Sequence, residues 1–134
     1  MKFEKETYDY IKNSLSDSFN TSVYVHYTPD DTASVKNGSS TTSFLDFISD
    51  ESTYIYFNAI VVTDDFDEND MLEKVKKAFN NGVVLGNIYF VNSNYMSQLN
   101  EDDPFVLIEE QKYDKLLFII KDSVEEYRRI EWEK

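Results

Sequence analysis

The chain contains no cysteine, so no disulfide staples it and no thiolate can hold a metal. Glycine is almost as scarce. Gly38, Gly82 and Gly86 stand isolated, whereas a phosphate-cradling loop needs its glycines clustered. His26 is the only histidine, which removes a multi-histidine metal centre. No Gly-x-Ser-x-Gly elbow accompanies it, and His26 is expected as a half-exposed structural residue of a strand. Basic side chains are also few: 13 Lys and Arg face 26 Asp and Glu, giving a net charge of −13. Proteins that grip nucleic acid displace counterions with a basic stripe. Here the densest basic groups, Lys74, Lys76, Lys77 and Arg128, Arg129, sit among acids. Direct nucleic-acid binding and anionic membrane surfaces are therefore disfavoured. No run reaches the roughly 18 apolar residues of a membrane span, and the opening Met1-Lys2-Phe3-Glu4-Lys5-Glu6 lacks the apolar core of a signal peptide.

What remains is apolar and aromatic. Hydrophobic residues make up 41% of 134 positions, with ten Tyr and ten Phe. That is enough to bury a core in one domain spanning 1–134, and too little chain for two good ones. Aromatic side chains suit both a core and a contact surface.

Along the chain, Phe3, Thr7, Ile11 and Leu15 recur every four residues, predicting a helix over 3–16. Val23-Tyr24-Val25-His26-Tyr27 alternates like a strand. Residues 28–43 are small, polar and aperiodic, the composition of a mobile loop. Phe44 to Ile48 is an apolar island, either a helical turn or a strand end. Tyr54–Thr63 is nearly continuous in apolar residues and predicts a central strand. Asp67 opens a second helix, 67–80, with Glu68 and Asp70 in its first turn, Met71, Leu72, Val75, Ala78 and Phe79 on one face, and Asn81-Gly82 as its stop. Val83–Val91 predicts a strand with Gly86 as a bulge. Residues 92–103 predict a polar loop, and Phe105–Glu110 with Leu116–Lys121 a hairpin. The C-terminal extension 122–134 fits a strand or a helix. The expected fold class is α+β, a mainly antiparallel sheet of about five strands with two helices packed on one face.

The acid cluster Asp64, Asp65, Asp67, Glu68, Asp70 and Glu73 invites a calcium reading. Counting a calcium loop from Asp65, the residues Asp67 and Asn69 fit, but the sixth position is Asp70 instead of Gly and the twelfth is Lys76 instead of Glu. The motif fails at both diagnostic places. No cofactor, metal or catalytic residue is expected. The candidate interaction surface is Asp64, Asp65, Asp67, Glu68 and Asp70, together with Glu101, Asp102 and Asp103.

In layout, the helix 3–16, the strand region 54–63, the helix 67–80 opened by Asp67 and the hairpin 105–121 resemble phage tail-terminator and tail-completion proteins of the head–tail junction. The resemblance implies a non-enzymatic subunit of a hexameric ring, located in the virion or the bacterial host cytoplasm, with residues 28–53 as the family's long loop. A ring that passes DNA benefits from acids in its lumen, which repel phosphate. The same acids also fit a different expectation, an inhibitor or immunity protein that mimics DNA and binds a basic nucleic-acid enzyme.

Overall fold

The four-residue apolar spacing near the N-terminus folds as predicted, into helix α1 (Glu4–Phe19), with Thr7, Ile11 and Leu15 on its buried face. Ile11 and Leu15 have no exposed surface, and burial of each stabilises the domain by about 1.5–3 kcal/mol. Asn20 ends the helix in the left-handed region (φ 54°), its N–H bonded to the Ser16 carbonyl at 2.8 Å. Asn tolerates that conformation and frees the chain to turn. The computed structural model describes residues 3–27, 33–34, 43–49, 53–54, 56–65, 67–79, 85–98, 102–119 and 129–132.

After α1 come strand β1 (Val23–Tyr27), β2 (Ala33–Ser34), helix α2 (Phe44–Ser49), β3 (Thr53–Tyr54), β4 (Tyr56–Val62) and helix α3 (Glu68–Ala78). Then follow β5 (Leu85–Val91), the short helices α4 (Ser93–Ser97) and α5 (Val106–Glu109), β6 (Lys115–Ile119) and β7 (Arg129–Trp132). Five strands form one sheet in the order β1-β4-β5-β6-β7, and β2 pairs β3 in a separate two-stranded ribbon. The fold is α+β, but the sheet is mixed. β4 and β5 run parallel, joined through α3, while the other neighbours are antiparallel. The central place expected for the 54–63 segment is observed, since β4 lies between β1 and β5.

The two long helices share one face of the sheet. Ile11 and Leu15 of α1 and Met71 and Val75 of α3 join one core with Val25, Phe57, Ala59, Val61, Ile88, Phe90 and Leu117. The opposite face is covered too, by a smaller cluster in which Ile60 and Val91 meet Leu107 of α5, with Tyr95 and Met96 of α4 beside them. The described residues thus hold five helices on two faces, not two on one. The apolar island at 44–48 is the helix α2, and its Phe47 and Ile48 are buried, Phe47 in a ring cluster with Phe3 and Phe44. Part of the segment expected as a long loop therefore belongs to the core. Of 28–43, only Ala33–Ser34 and Ser43 are described.

Three local expectations are corrected. Residues 105–110 are not a strand. Asp103 accepts a hydrogen bond from the Phe105 N–H at 2.9 Å, turning the chain at the buried Pro104 into α5. Gln111 then adopts φ 58° and Lys112 N–H bonds back to the Leu107 carbonyl at 2.7 Å, a left-handed helix stop. β6 consequently pairs with β5, and the 105–121 hairpin does not exist. Residues 92–103 are not all loop, because Asn92 caps α4 by accepting from the Asn94 and Tyr95 N–H groups. Gly86 is not a bulge. The ladder runs through it in register, opposite Phe57 on one side and Ile119 on the other.

Gly86 instead answers a close approach. A Cβ there would lie 2.5 Å from Phe57 Cε1, so the Phe57 ring occupies the space that a side chain would take. Gly86→Ala is expected to lower unfolding free energy by about 1–3 kcal/mol, the usual cost of overpacking. Urea unfolding measures it, and Phe57→Leu in the Gly86→Ala background should recover part of the loss. A neutral Gly86→Ala would show that the ring moves aside freely.

Candidate functional site

Loops following the C-terminal ends of parallel strands are a common place for function in mixed sheets. Here those loops hold the acids singled out in the sequence. Asp67 caps α3, its Oδ1 accepting the Asp70 N–H at 2.8 Å, as expected. Asp70 reaches Lys74 at 3.0 Å, an exposed pair one helical turn apart. Asp64 spans from the end of β4 to the start of α4, accepting from the Ser93 N–H at 2.9 Å and from its hydroxyl. Asp65 Oδ1 accepts the Asp67 N–H at 3.2 Å. Glu68 lies exposed in the first turn of α3. Asp114 completes the join, accepting from the Asn92 N–H at 3.1 Å while its own N–H bonds to the Phe90 carbonyl. Much of this charge is therefore used to shape the loops that carry it.

Beneath these acids lies a residue that spacing did not reveal. Lys115 opens β6 in register with Phe90 and is fully covered. Desolvation holds its ammonium below the ordinary lysine value of 10.5, and the negative charge of Glu68, Asp67 and Asp65 partly opposes that shift.

The second feature is a cleft of about 310 Å³ on the sheet face away from α1 and α3, within the size range of small-ligand sites. Its floor is a cross-strand row. His26 of β1 pairs with Asn58 of β4, and Asn58 with Asn87 of β5. The Asn87 side chain donates to Asn58 Oδ1 at 3.1 Å, which orients the Asn58 amide. Tyr89 lines the floor one step further along β5, its ring edge-on to Tyr113 at 4.9 Å. Burial raises the Tyr89 phenol above its ordinary value, so it stays protonated at neutral pH. The walls come from the turn before α5 and from α5 itself: Asp103, Phe105, Ile108 and Glu109. Phe105 faces the His26 ring at 5.8 Å. Among the described residues the lining carries two carboxylates and no lysine or arginine.

The structure thus separates the candidate acids into two places. Asp64, Asp65, Asp67, Glu68 and Asp70 gather at the C-terminal end of β4. Asp103 belongs to the cleft near the strand's other end. The six residues from Asn58 to Asp64 span roughly 20 Å at strand spacing. Asp102 is exposed beside Asp103, and Glu101 lies outside the described residues. No local pattern in the sequence reveals the cleft, because its residues come from four separated segments, one of which, 105–110, has the composition of a strand. Among the described residues no group of three or more His, Asp or Glu side chains could hold a metal ion, and no helix is long and apolar enough to cross a membrane. Comparison with protein-family models, curated proteins and solved structures finds no match.

Lys115 gives a pH test of the acidic end. A lysine whose folded pKa is lowered leaves the unfolded chain holding more protons between the two values, so stability rises with pH across that window, below 10.5. Wild type should gain urea resistance relative to Lys115→Met as pH is raised through the alkaline range toward 10.5. Tyr89 contributes equally to both proteins and cancels. A difference that stays constant over that range would remove the buried-lysine assignment.

Proposed function

We propose that the chain is a non-enzymatic structural subunit that assembles head to tail into a ring, in the manner of phage tail-terminator proteins at the head–tail junction. The observation that carries this reading is the pair of open sheet edges. Among the described residues β1 pairs only with β4, and β7 only with β6. An edge strand with unpaired backbone groups is a template for another chain, and β1 carries no lysine, proline or acid to blunt it. The directions are also compatible. β1 is antiparallel to β4 and β7 runs the same way as β4, so β7 of one copy laid beside β1 of the next continues the sheet in antiparallel fashion. Two different edges in one contact make a heterologous interface, the kind that closes into rings. The acidic end of β4, with Asp65 and Glu68 exposed, then serves as a DNA-repelling lumen surface.

The same exposed Asp65 and Glu68 favour the alternative reading, an acidic inhibitor or immunity protein whose partner is a basic nucleic-acid enzyme. Asp64 and Asp67 have capping duties, so a charge reversal meant to test binding belongs at Asp65 and Glu68.

Mass photometry separates the readings. The ring reading expects a species of about six chains, reduced to monomer by Tyr24→Lys. Tyr24 is exposed on β1, and a lysine there charges the edge without removing core volume. Circular dichroism should show the variant folded. A monomer that forms a one-to-one complex with a basic nuclease, lost in Asp65→Lys/Glu68→Lys, would replace the ring reading with the inhibitor reading.

A further inference from the structure

The charge of the cleft restricts what it can hold. Among the described residues its lining includes Asp103 and Glu109 and no base. A phosphate, sulfate or carboxylate ligand would meet like charge there, inside a chain of net charge −13. A compact divalent ion is no better served. It takes about six oxygen ligands, and no group of three or more His, Asp or Glu side chains among the described residues could hold one. What suits the lining is an organic cation with a flat body.

The remaining groups fit such a ligand and are already held in place. Phe105 and Ile108 supply apolar wall, with the Phe105 ring 5.8 Å from the His26 ring and tilted 59° to it. On the floor, Asn87 donates to Asn58 Oδ1 at 3.1 Å and so fixes the Asn58 amide. Tyr113 packs edge-on against Tyr89, and the Phe105 N–H holds the Asp103 carboxylate. Groups fixed beforehand lose less freedom when a ligand arrives. A volume of about 310 Å³ stands at the lower end of small-ligand sites, which suits a compact ligand better than a dinucleotide.

We propose that the cleft is a binding site for a small ligand carrying a guanidinium group. Carboxylates beside aromatic rings select a guanidinium over an ammonium, because the planar group stacks on a ring while its N–H groups fork to oxygens. Asp103 and Glu109 accept those N–H groups, Phe105 takes the flat face, and Asn58 and Tyr89 meet the polar remainder of the ligand. Every group the site uses belongs to one chain, so it stands whether or not copies assemble.

The test is titration of the isotope-labelled full chain, with amide shifts followed by NMR. The probes are N-acetylarginine amide, its ammonium counterpart N-acetyllysine amide and its neutral isostere N-acetylcitrulline amide. The arginine probe should give saturable shifts at His26, Asn58, Asn87 and Phe105. The citrulline probe should bind at least about tenfold more weakly, as loss of a charge-assisted contact implies, and the lysine probe should fall between. Asp103→Asn keeps an oxygen to accept from the Phe105 N–H but removes the charge, and Glu109→Gln removes the charge on α5. The double variant should weaken the arginine probe at least about tenfold. Glu68→Gln, at the far end of β4, serves as the charge control and should leave the affinity unchanged. The probe comparison uses wild type alone, so it decides even where a variant fails to fold. Equal binding of the arginine and citrulline probes overturns the site. So do equal binding of the arginine and lysine probes, indifference to the double variant, shifts centred on Asp65 and Glu68, or no shift at tens of millimolar arginine probe. None of these outcomes bears on the ring reading, which mass photometry decides separately.

Discussion

The parallel pairing of β4 with β5 is the constraint from which the remaining architecture follows. Two adjacent parallel strands cannot be joined by a tight turn, so the chain must cross the sheet between them. α3 makes that crossing, and its apolar stripe, Met71, Val75 and Ala78, must then be buried against the sheet. α1 packs beside it through Ile11 and Leu15, tied at its end by the Ser18 hydroxyl to the Lys74 carbonyl at 2.6 Å. With both long helices on one face, the other is left to whatever short elements the β5–β6 connection can supply. Among the described residues α4 and α5 cover part of it, and the cleft lies beside α5. Parallel pairing also brings the C-terminal ends of β4 and β5 side by side, which lets Asp64 reach Ser93 and lets Asp114 reach Asn92.

A charge of −13 invites the picture of a single acidic face, and the structure breaks that picture apart. Some carboxylates cap helices, and others fix loop geometry. Ion pairs such as Lys5–Asp9 and Lys74–Asp70 are exposed and contribute little to stability. What distinguishes the acidic end is the lysine beneath it. Lys115 pays a desolvation penalty, and Asp65, Asp67 and Glu68 reduce that penalty from outside. The acids there act inward on the core as well as outward on solvent.

The parts of this fold legible in the sequence are those in which several local signals agree. α3 has a capping acid, a clean apolar period and cations near its end, and it appears within two residues of the expected bounds. β4 is long, apolar and rich in β-branched residues, and it is central. Failures occur where a backbone decision overrides composition. Val106, Leu107 and Ile108 read as strand, yet the Asp103–Pro104 turn starts a helix and Gln111 ends it one turn later. Gly86 reads as a bulge because composition cannot show the Phe57 ring above it. Parallel pairing is hidden for a similar reason: with 105–121 read as a hairpin, the segments no longer require a crossover between neighbours. The acids at β4 are neighbours in sequence, but what Asp64 does depends on Ser93, which lies far along the chain.

The cleft carries this lesson to its limit. Its residues are distant in sequence and share no motif, so only the register of the sheet brings them into one row. That same register reaches Arg129 at the far edge, on a strand the composition left undecided between helix and extension. The walls obey the same rule: Asp103, Phe105, Ile108 and Glu109 reach the cleft only because the chain turns at Pro104 and lays α5 over the sheet. The site is therefore a product of strand alignment and one local backbone turn, and no single segment of the chain carries its signature.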